Sequence, residues 1–301
     1  MTYEVIENCE LKKYTSFKVG GCAPRAFFPE STDDFVELLC NLDNPLILGA
    51  CSNVLISSDG VDCDVIITTK LKDFSFENNR VQAQCGVKVP MLAKEAAEKG
   101  LSGIEFMVGF PGTVGGAVCM NASAHSQAIS DTFSSCKIFD LEKKTVCELK
   151  KDELMFSYRH SVLQEKPYIL LEANFELRPD EKESINSIMQ RNLEFRKGKQ
   201  PNLAMPNAGS IFRNPLNDSA GRLLEKAGVK GLKSGGAAVW LGHANFIINE
   251  NSATSTDILN LMYQMYNMVK DKYTIELVPE VKFVGRRTGK DGELWNTMLK
   301  K

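Results

Sequence analysis

Four glycines stand close together in the first half of the chain, at Gly109, Gly112, Gly115 and Gly116. Each glycine weakens an ordinary helix or strand by roughly 0.5–1 kcal/mol relative to alanine, so such a dense run predicts a loop that a ligand approaches closely. The spacing matches neither the dinucleotide motif G-x-G-x-x-G nor the phosphate-binding loop that ends in Gly-Lys-Ser/Thr. We therefore expect another kind of diphosphate cradle, with a purely structural glycine turn as the alternative.

A second cluster of small residues follows a short apolar run. Residues 48–55 have the sequence Leu-Gly-Ala-Cys-Ser-Asn-Val-Leu. Small side chains let backbone N–H groups close around a phosphate. Many plain turns also use Gly, Ser and Asn, so this cluster alone leaves a nucleotide site and an ordinary turn both open.

The composition is that of a globular protein, with 43% apolar and 25% charged residues among 301. This length predicts two or three compact lobes, each with a buried core. The net charge of -2 and the pI near 6.0 exclude a general nucleic-acid binder. The first residues lack the basic and apolar segments of a secretory signal, and no apolar run approaches the roughly 20 residues that cross a bilayer. We expect neither a membrane nor a nucleic acid as a partner.

The chemistry of the cysteines and histidines adds two expectations. Nine cysteines, an odd number without a C-x-x-C pair, predict reduced thiols and a cytoplasmic protein. The three histidines, His125, His160 and His243, do not have the spacing of metal ligands, so no metal site is expected.

Strand-like runs alternate with amphipathic helices along the chain, which predicts a mixed protein of the α+β class. Short buried strands are expected at residues 45–49 and 64–68. Helices are expected at residues 33–42 and from Pro90 to residue 99, since proline favours the first turn of a helix.

Two features of the second half bear on its organisation. Thr256 and Asp257 are expected to cap a long helix whose apolar stripe belongs to the core. A polar, basic stretch at residues 195–201 runs into several prolines and asparagines, and we place a domain boundary there. The last residues, after 285, are either a tail or a strand and helix that return to the first lobe.

Three further motifs contain residues suited to catalysis, although each alone has an ordinary structural explanation. They are Tyr158-Arg-His-Ser161, Asn207-Ala-Gly-Ser-Ile-Phe-Arg-Asn-Pro215 and Leu277-Val-Pro-Glu-Val-Lys-Phe283. Together with the opening motif Thr15-Ser-Phe-Lys-Val-Gly-Gly21, and in this order, the segments resemble the UDP-N-acetylenolpyruvoylglucosamine reductase family. Only 51 positions separate Arg159 from Ser210, so the chain resembles the shorter type of the family, which lacks a tyrosine loop.

The resemblance implies a vanillyl-alcohol-oxidase-like FAD-binding fold, with two lobes for FAD and an α+β domain for the substrate. The implied domains are residues 1–69, with 284–301 as a possible return to it, then 70–197 for the second FAD lobe and 198–283 for the substrate domain. It also implies non-covalent FAD, NADPH as hydride donor and a UDP-sugar substrate. We favour a monomer.

The resemblance also implies which residues bind each ligand. The residues expected to contact FAD are Gly49, Ala50, Cys51, Ser52, Asn53, Val54, Gly109, Pro111, Gly112, Thr113, Gly115, Gly116, Asn121 and Ala122. The residues expected to contact the substrate are Tyr158, Arg196, Lys197, Arg213 and Asn214, with Arg222 nearby as a further cation.

The catalytic residues that the resemblance implies are Arg159, Ser210 and Glu280. Negative charge develops on the substrate's enolate when hydride reaches its C3, and Arg159 and Glu280 are expected to stabilise that charge. Glu280 can do so only when it is protonated or shares a proton, which burial of the carboxyl favours. Ser210 is expected to protonate C2, activated by a cation such as Arg213 or Lys197.

The sequence departs from the family pattern at two loops. Cys51 replaces a glycine of the usual G-x-G-S-N, which predicts weaker FAD binding. Ser123 and Ser126 replace two glycines of the usual N-A-G-A-Y-G, and His125 replaces its tyrosine beside the predicted flavin loop, which predicts a changed flavin environment.

Two alternative functions stay open. One is another FAD-dependent oxidoreductase of the same fold, which the joint presence of Arg159, Ser210 and Glu280 disfavours. The other is a non-catalytic binding module, which the lost glycines permit but the same three residues disfavour.

Overall fold

The computed structural model describes residues 3–202 and 204–299. Within that part of the chain, the α-helices are α1 Thr32–Asn41, α2 Val89–Glu98, α3 Val114–Cys119, α4 Ile129–Thr132, α5 Lys182–Arg196, α6 Ala220–Ala227, α7 Ser255–Tyr273 and α8 Gly289–Leu299. Short 3-10 turns lie at Leu11–Tyr14, Thr68–Lys70, Glu105–Gly109, Lys151–Leu154 and Val162–Gln164.

The strands are short. They are β1 Glu4–Glu10, β2 Cys22–Phe28, β3 Leu46–Leu48, β4 Val54–Ile56, β5 Val65–Ile67, β6 Phe74–Glu77, β7 Arg80–Gln84, β8 Leu101–Ser102, β9 Ser123–Ala124, β10 Gln127–Ala128, β11 Phe133–Asp140, β12 Thr145–Lys150, β13 Tyr168–Glu176, β14 Arg178–Pro179, β15 Lys233–Ser234, β16 Ala237–Val239, β17 Ile247–Asn249 and β18 Lys282–Val284.

The described chain divides into two compact units. The first comprises residues 3–6, Ala26–Ala50 and Asp64–Arg196, and the second comprises Glu7–Arg25, Cys51–Cys63 and the described residues from Lys197 onward. The division into three domains that the resemblance implies stays a prediction.

The first unit contains an antiparallel sheet in the order β12-β11-β13-β7-β6. Alternate residues of its strands pack into the core beside α2, and the phenylalanines Phe106, Phe139 and Phe175 are fully buried there. Strands β2, β5 and β3 pair in parallel, with α1 joining β2 to β3. This core supports the loop that contains the glycine cluster.

The predicted elements of the first unit agree with the structure. Helix α1 begins after Ser31, whose hydroxyl accepts a hydrogen bond from Asp34 N–H at 3.1 Å. Helix α2 contains Pro90 in its first turn, and strands β3 and β5 lie inside the two predicted strand segments. Periodicity and helix-end residues were therefore sufficient for these elements.

The second unit packs α6 and α7 against the antiparallel strands β15, β16 and β17. The apolar stripe of α7 is buried, as predicted. Its cap was predicted in part. Asp257 belongs to the capping box, since its carboxylate accepts from Thr254 N–H at 2.9 Å, but the N-cap is Thr254, whose hydroxyl accepts from Asp257 N–H at 3.1 Å. The helix begins at Ser255, so Thr256 already lies in its first turn. Its hydroxyl donates to Asp291 Oδ1 at 2.6 Å.

Residues 282–299 contain the last strand and the last helix described, both within the second unit. Strand β18 pairs in parallel with β4, and Asp291 of α8 accepts a 2.7 Å hydrogen bond from Ser255 Oγ of α7. The Trp295 ring packs 5.7 Å, centroid to centroid, from Phe283. In the part of the chain that the structure describes, we find no helix with the length and apolar character needed to span a membrane.

Candidate active site

The glycine loop, residues 109–116, joins the 3-10 turn Glu105–Gly109 to helix α3 in the first unit. Gly115 N–H donates to Cys85 O at 2.8 Å, and a Cβ on Gly115 would lie 3.1 Å from Cys85 Cβ. A Cβ on Gly49 would collide with Thr113 Oγ1. These glycines let the end of β3, the loop and the residues after β7 pack without side chains between them.

The opposite side of the glycine loop is open. Gly116 and Pro111 are exposed, and a Cβ on Gly116 would meet only Thr113 Oγ1, at 3.9 Å. Bare backbone on an exposed loop lets a phosphate approach its N–H groups closely. The geometry therefore fits the pyrophosphate of FAD on this side of the loop.

A β-hairpin follows α3, and its turn contains His125 and Ser126, two of the residues that differ from the family motif. Strands β9 and β10 pair with Ala124 opposite Gln127. His125 and Ser126 both have positive φ, 52° and 63°, as a type I′ turn requires. The two residues therefore occupy a conformation that glycine and asparagine adopt more readily.

Arg159 lies in a tight turn of the first unit, residues 157–160, which we call the Arg159 turn. Ser157 and His160 exchange two backbone hydrogen bonds of 3.2 Å across the turn, and Arg159 has a φ of 58°. Its Nη1 donates to Ser123 Oγ at 2.7 Å. The exposed Tyr158 ring lies 5.3 Å from the centre of the guanidinium.

Asn121 connects the Arg159 turn to the segment after α3. Its Nδ2 donates to Ser157 O at 3.0 Å, and its Oδ1 accepts from Ser130 N–H at 3.0 Å. This buried side chain was predicted to contact FAD, and in the structure both ends of its amide bind the backbone. Its evident role is to hold the loops that carry Arg159 and the hairpin.

Arg196 ends α5 beside the glycine loop. A Cβ on Gly109 would lie 2.5 Å from Arg196 Cδ, and burial lowers the pKa of the Arg196 guanidinium to about 10, so it is still a cation at neutral pH. The neighbouring Phe195 packs edge-on against His125, with ring centroids 5.3 Å apart. Partial burial, then the nearby Arg196 charge, lowers the pKa of His125.

In the second unit, Ser210 and Glu280 lie on adjoining segments. Glu280 N–H donates to Ile211 O at 2.7 Å, and Arg213 N–H donates to Val278 O at 2.9 Å. These two hydrogen bonds flank an antiparallel bridge between Phe212 and Pro279. Two of the three predicted catalytic residues, separated by 70 positions in the sequence, are thus brought together.

A clamp formed by Asn245 holds the Ser210 segment. Asn245 Oδ1 accepts from Phe212 N–H at 2.9 Å, and Asn245 Nδ2 donates to Phe212 O at 2.8 Å. The Asn245 carbonyl accepts a further hydrogen bond from Ile211 N–H, also at 2.9 Å. Asn245 was not among the residues predicted from the sequence.

The Cys51–Val54 segment lies against the Glu280 segment within the second unit. Asn53 Nδ2 donates to Glu280 O at 3.1 Å, and Lys282 N–H donates to Asn53 O at 3.0 Å. Cys51 is buried with a φ of 48°, a left-handed conformation that glycine would adopt without strain. The small-residue cluster therefore supports the backbone of Glu280 whatever else it binds.

The cations predicted to meet the substrate differ in their surroundings. Arg213 Nε is buried and has no hydrogen-bond partner among the described residues, so this cation has a donor that the described chain leaves unsatisfied. Asn214 Oδ1 accepts from Ala220 N–H at 3.0 Å. Arg222, in contrast, is paired with Asp218, and the hydrogen bond from Arg222 lowers the pKa of that carboxyl to about 2. Arg222 is therefore a poor candidate for neutralising a pyrophosphate.

Two family models match the chain. Residues 23–149 match an FAD binding domain, and residues 200–284 match the C-terminal domain of UDP-N-acetylenolpyruvoylglucosamine reductase. The fold and the glycine loop thus define an FAD-binding protein, and the predicted fold class is confirmed.

Relatives named as UDP-N-acetylenolpyruvoylglucosamine reductases cover nearly the whole chain. The UDP-N-acetylenolpyruvoylglucosamine reductase of Caldicellulosiruptor saccharolyticus is 40% identical over 291 residues, which are 95% of this chain and 93% of its own. That of Bacillus subtilis is 40% identical over 288 residues, 94% of each chain. The crystal structure of the Thermus caldophilus reductase is similar with a TM-score of 0.81 and 32% identity, covering 94% of this chain and 99% of that one. The chain belongs to the UDP-N-acetylenolpyruvoylglucosamine reductase family.

Proposed function

We propose that this chain reduces UDP-N-acetylenolpyruvoylglucosamine to UDP-N-acetylmuramic acid with NADPH, in the cytoplasm, as a step of peptidoglycan precursor synthesis. The observation that carries the proposal is the match to the reductase's C-terminal domain over residues 200–284, which contain the adjoining Ser210 and Glu280 segments. The relatives' printed names and the open glycine loop support it. We also propose that the protein is a monomer.

FAD, when bound, supplies the transfer of hydride from NADPH to the substrate. The residues proposed to hold it are those of the glycine loop and of residues 49–54, whose small side chains leave room for the pyrophosphate. Asn121 and Ala122 support this site from the segment after α3.

The proposed work of the protein is to stabilise charge and to move one proton. Arg159 donates hydrogen bonds to the negative charge that develops on the enolate and its carboxylate. Glu280, in its protonated form, donates to the same charge. Ser210 delivers a proton to C2 of the substrate, and positioned proton transfer of this kind contributes about 10²–10⁴ in rate.

The remaining proposed contacts hold the UDP portion. Arg213 is the strongest candidate because its buried Nε has no described partner. Arg196, Lys197, Asn214 and Tyr158 are the other proposed contacts. A guanidinium can bind a phosphate with two parallel hydrogen bonds, which favours the arginines over Lys197 for this role.

The test uses the purified, full-length protein. We expect it to carry flavin absorbance and to oxidise NADPH only when UDP-N-acetylenolpyruvoylglucosamine is added. Flavin absorbance with NADPH oxidation that depends on some other alcohol or sugar would indicate another oxidoreductase of this fold. Absence of bound flavin, even after addition of FAD, would instead indicate a binding module.

A further inference from the structure

The Ser123 hydroxyl contacts the Arg159 guanidinium directly. Arg159 Nη1 lies 2.7 Å from Ser123 Oγ and 3.5 Å from Ser123 O. The family motif has glycine at this position, which offers the carbonyl but no hydroxyl. The shorter of the two contacts therefore depends on a residue that this chain has and the family pattern lacks.

The backbone that carries Arg159 is fixed by other groups. Gln164 Nε2 donates to Arg159 O at 3.1 Å and to Cys119 O at 2.8 Å. Asn121 holds the other side of the Arg159 turn through Ser157 O. These anchors would persist without the Ser123 hydroxyl.

The backbone that carries Ser123 is fixed as well. Ser123 pairs with Ala128 across the hairpin, and Ala128 N–H donates to Asp131 Oδ2 at 2.8 Å at the start of α4. The backbone of Ser123 is thus held by a strand pairing and a helix end. Its hydroxyl, one rotatable bond from that backbone, is the acceptor for a long, flexible side chain.

Fixed backbone does not fix a guanidinium, since arginine retains several rotatable bonds and loses much rotamer entropy when it is ordered. A hydroxyl acceptor restricts that freedom and leaves the positive charge intact, whereas a carboxylate would neutralise it. A guanidinium has five N–H donors, so one hydrogen bond to Ser123 can orient the group without engaging all of them. Preorganised charge of this kind is what stabilises a developing anion most effectively.

We propose that Ser123 is a positioning residue that holds the guanidinium of Arg159 in the orientation used for reduction of the enolpyruvyl group. The proposal rests on the catalytic role given to Arg159 under the proposed function. It adds a residue that acts through Arg159 and does not itself contact the reacting atoms.

The experiment compares Ser123→Ala, Ser123→Gly and Ser123→Thr in the FAD-loaded protein by anaerobic stopped-flow absorbance of the flavin. Loss of the hydroxyl in the first two variants is expected to slow reoxidation by saturating UDP-N-acetylenolpyruvoylglucosamine about tenfold, the effect of one hydrogen bond to a charged group. Bleaching by NADPH and KM for the substrate are expected to change less than about twofold. Threonine keeps the hydroxyl and is expected to restore most of the rate.

Two controls separate positioning from a general structural effect. Ser130→Ala removes a nearby hydroxyl and keeps the backbone N–H that binds Asn121, so it should behave as wild type. In the Arg159→Ala background, Ser123→Ala is expected to cause no further loss of rate.

A third measurement concerns substrate binding. The substrate concentration at the midpoint of the flavin difference spectrum, measured in the oxidised enzyme, should be unchanged in Ser123→Ala, because substrate binding is unaltered.

The outcomes are distinguishable. If Arg159→Ala slows reoxidation while Ser123→Ala does not, the positioning role is overturned and the proposed function stands. If Ser123→Ala slows bleaching and reoxidation alike, or slows reoxidation further without Arg159, its role is structural and the inference is wrong. If Arg159→Ala reoxidises at the wild-type rate, the catalytic role of Arg159 fails and the inference fails with it.

Discussion

The Asn245 clamp predicts a large loss of stability on removal of one side chain. Asn245 and Phe212 are 3% and 1% exposed, and the Asn245 amide satisfies both backbone groups of Phe212. Asn245→Ala would leave a buried N–H and a buried C=O without partners, at about 1–3 kcal/mol each. Allowing for partial relaxation, we expect the free energy of unfolding of the second unit to fall by about 3 kcal/mol.

The assay is guanidinium unfolding followed by tryptophan fluorescence, since both tryptophans of the chain, Trp240 and Trp295, lie in the second unit. The matched control is Asn251→Ala, an exposed asparagine of the same unit, for which a change within about 0.5 kcal/mol is expected. A loss below about 1 kcal/mol in Asn245→Ala, or one equal to the control, would refute the clamp as the element that holds the Ser210 segment.

Two further predictions concern titratable groups. Burial raises the pKa of the Cys51, Cys85 and Cys136 thiols to about 12. A disulfide reagent at pH 8 should therefore label these buried cysteines only after unfolding, whereas it should label the exposed Cys22, Cys40 and Cys147 quickly. Immediate labelling of all nine cysteines in the native protein would contradict the buried packing. Burial, and next the Lys230 charge, lowers the pKa of His243 below its ordinary 6.5, so the unfolded chain binds more protons and the second unit should lose stability as pH falls below 6.5. His243→Gln should flatten that dependence, and an unchanged pH profile in the variant would exclude His243 as its cause.

Local patterns were sufficient for the elements that neighbouring residues determine. Helices α1 and α2 and strands β3 and β5 follow from periodicity, proline and capping residues within a few positions. The N-cap of α7 was misplaced because Thr254 and Thr256 are equally good caps by type. The local signal that distinguishes them is Asp257, three positions after Thr254, which completes a capping box.

The arrangement of the site depends on long-range pairing that no local signal encodes. The hydrogen bond between the Ile211 and Glu280 backbones joins segments with no shared motif, and the resemblance alone suggested that Ser210 and Glu280 act together. The surroundings of Arg222, in contrast, depend on a residue nearby in the sequence. Arg222 and Asp218 are only four positions apart, where Asp218 precedes the N-cap of α6 and Arg222 lies in its first turn. Their pairing could have been predicted from the sequence, but the cations were considered without their acidic neighbours.

Ser123 departs from the family motif, and the consequence of that departure differs from the one predicted. Its replacement of glycine suggested a changed flavin environment, whereas the structure places its hydroxyl on Arg159. The residue type was visible in the sequence. Its partner, 36 positions away, was not.

The most direct test of the account is the rate at which UDP-N-acetylenolpyruvoylglucosamine reoxidises the NADPH-reduced protein in three variants, Arg159→Ala, Ser210→Ala and Glu280→Gln. We expect every variant to be bleached by NADPH at nearly the wild-type rate and to regain its flavin absorbance at least about a hundredfold more slowly. Reoxidation at the wild-type rate in all three would contradict the claim that one guanidinium, one hydroxyl and one carboxyl act on the same chemical step.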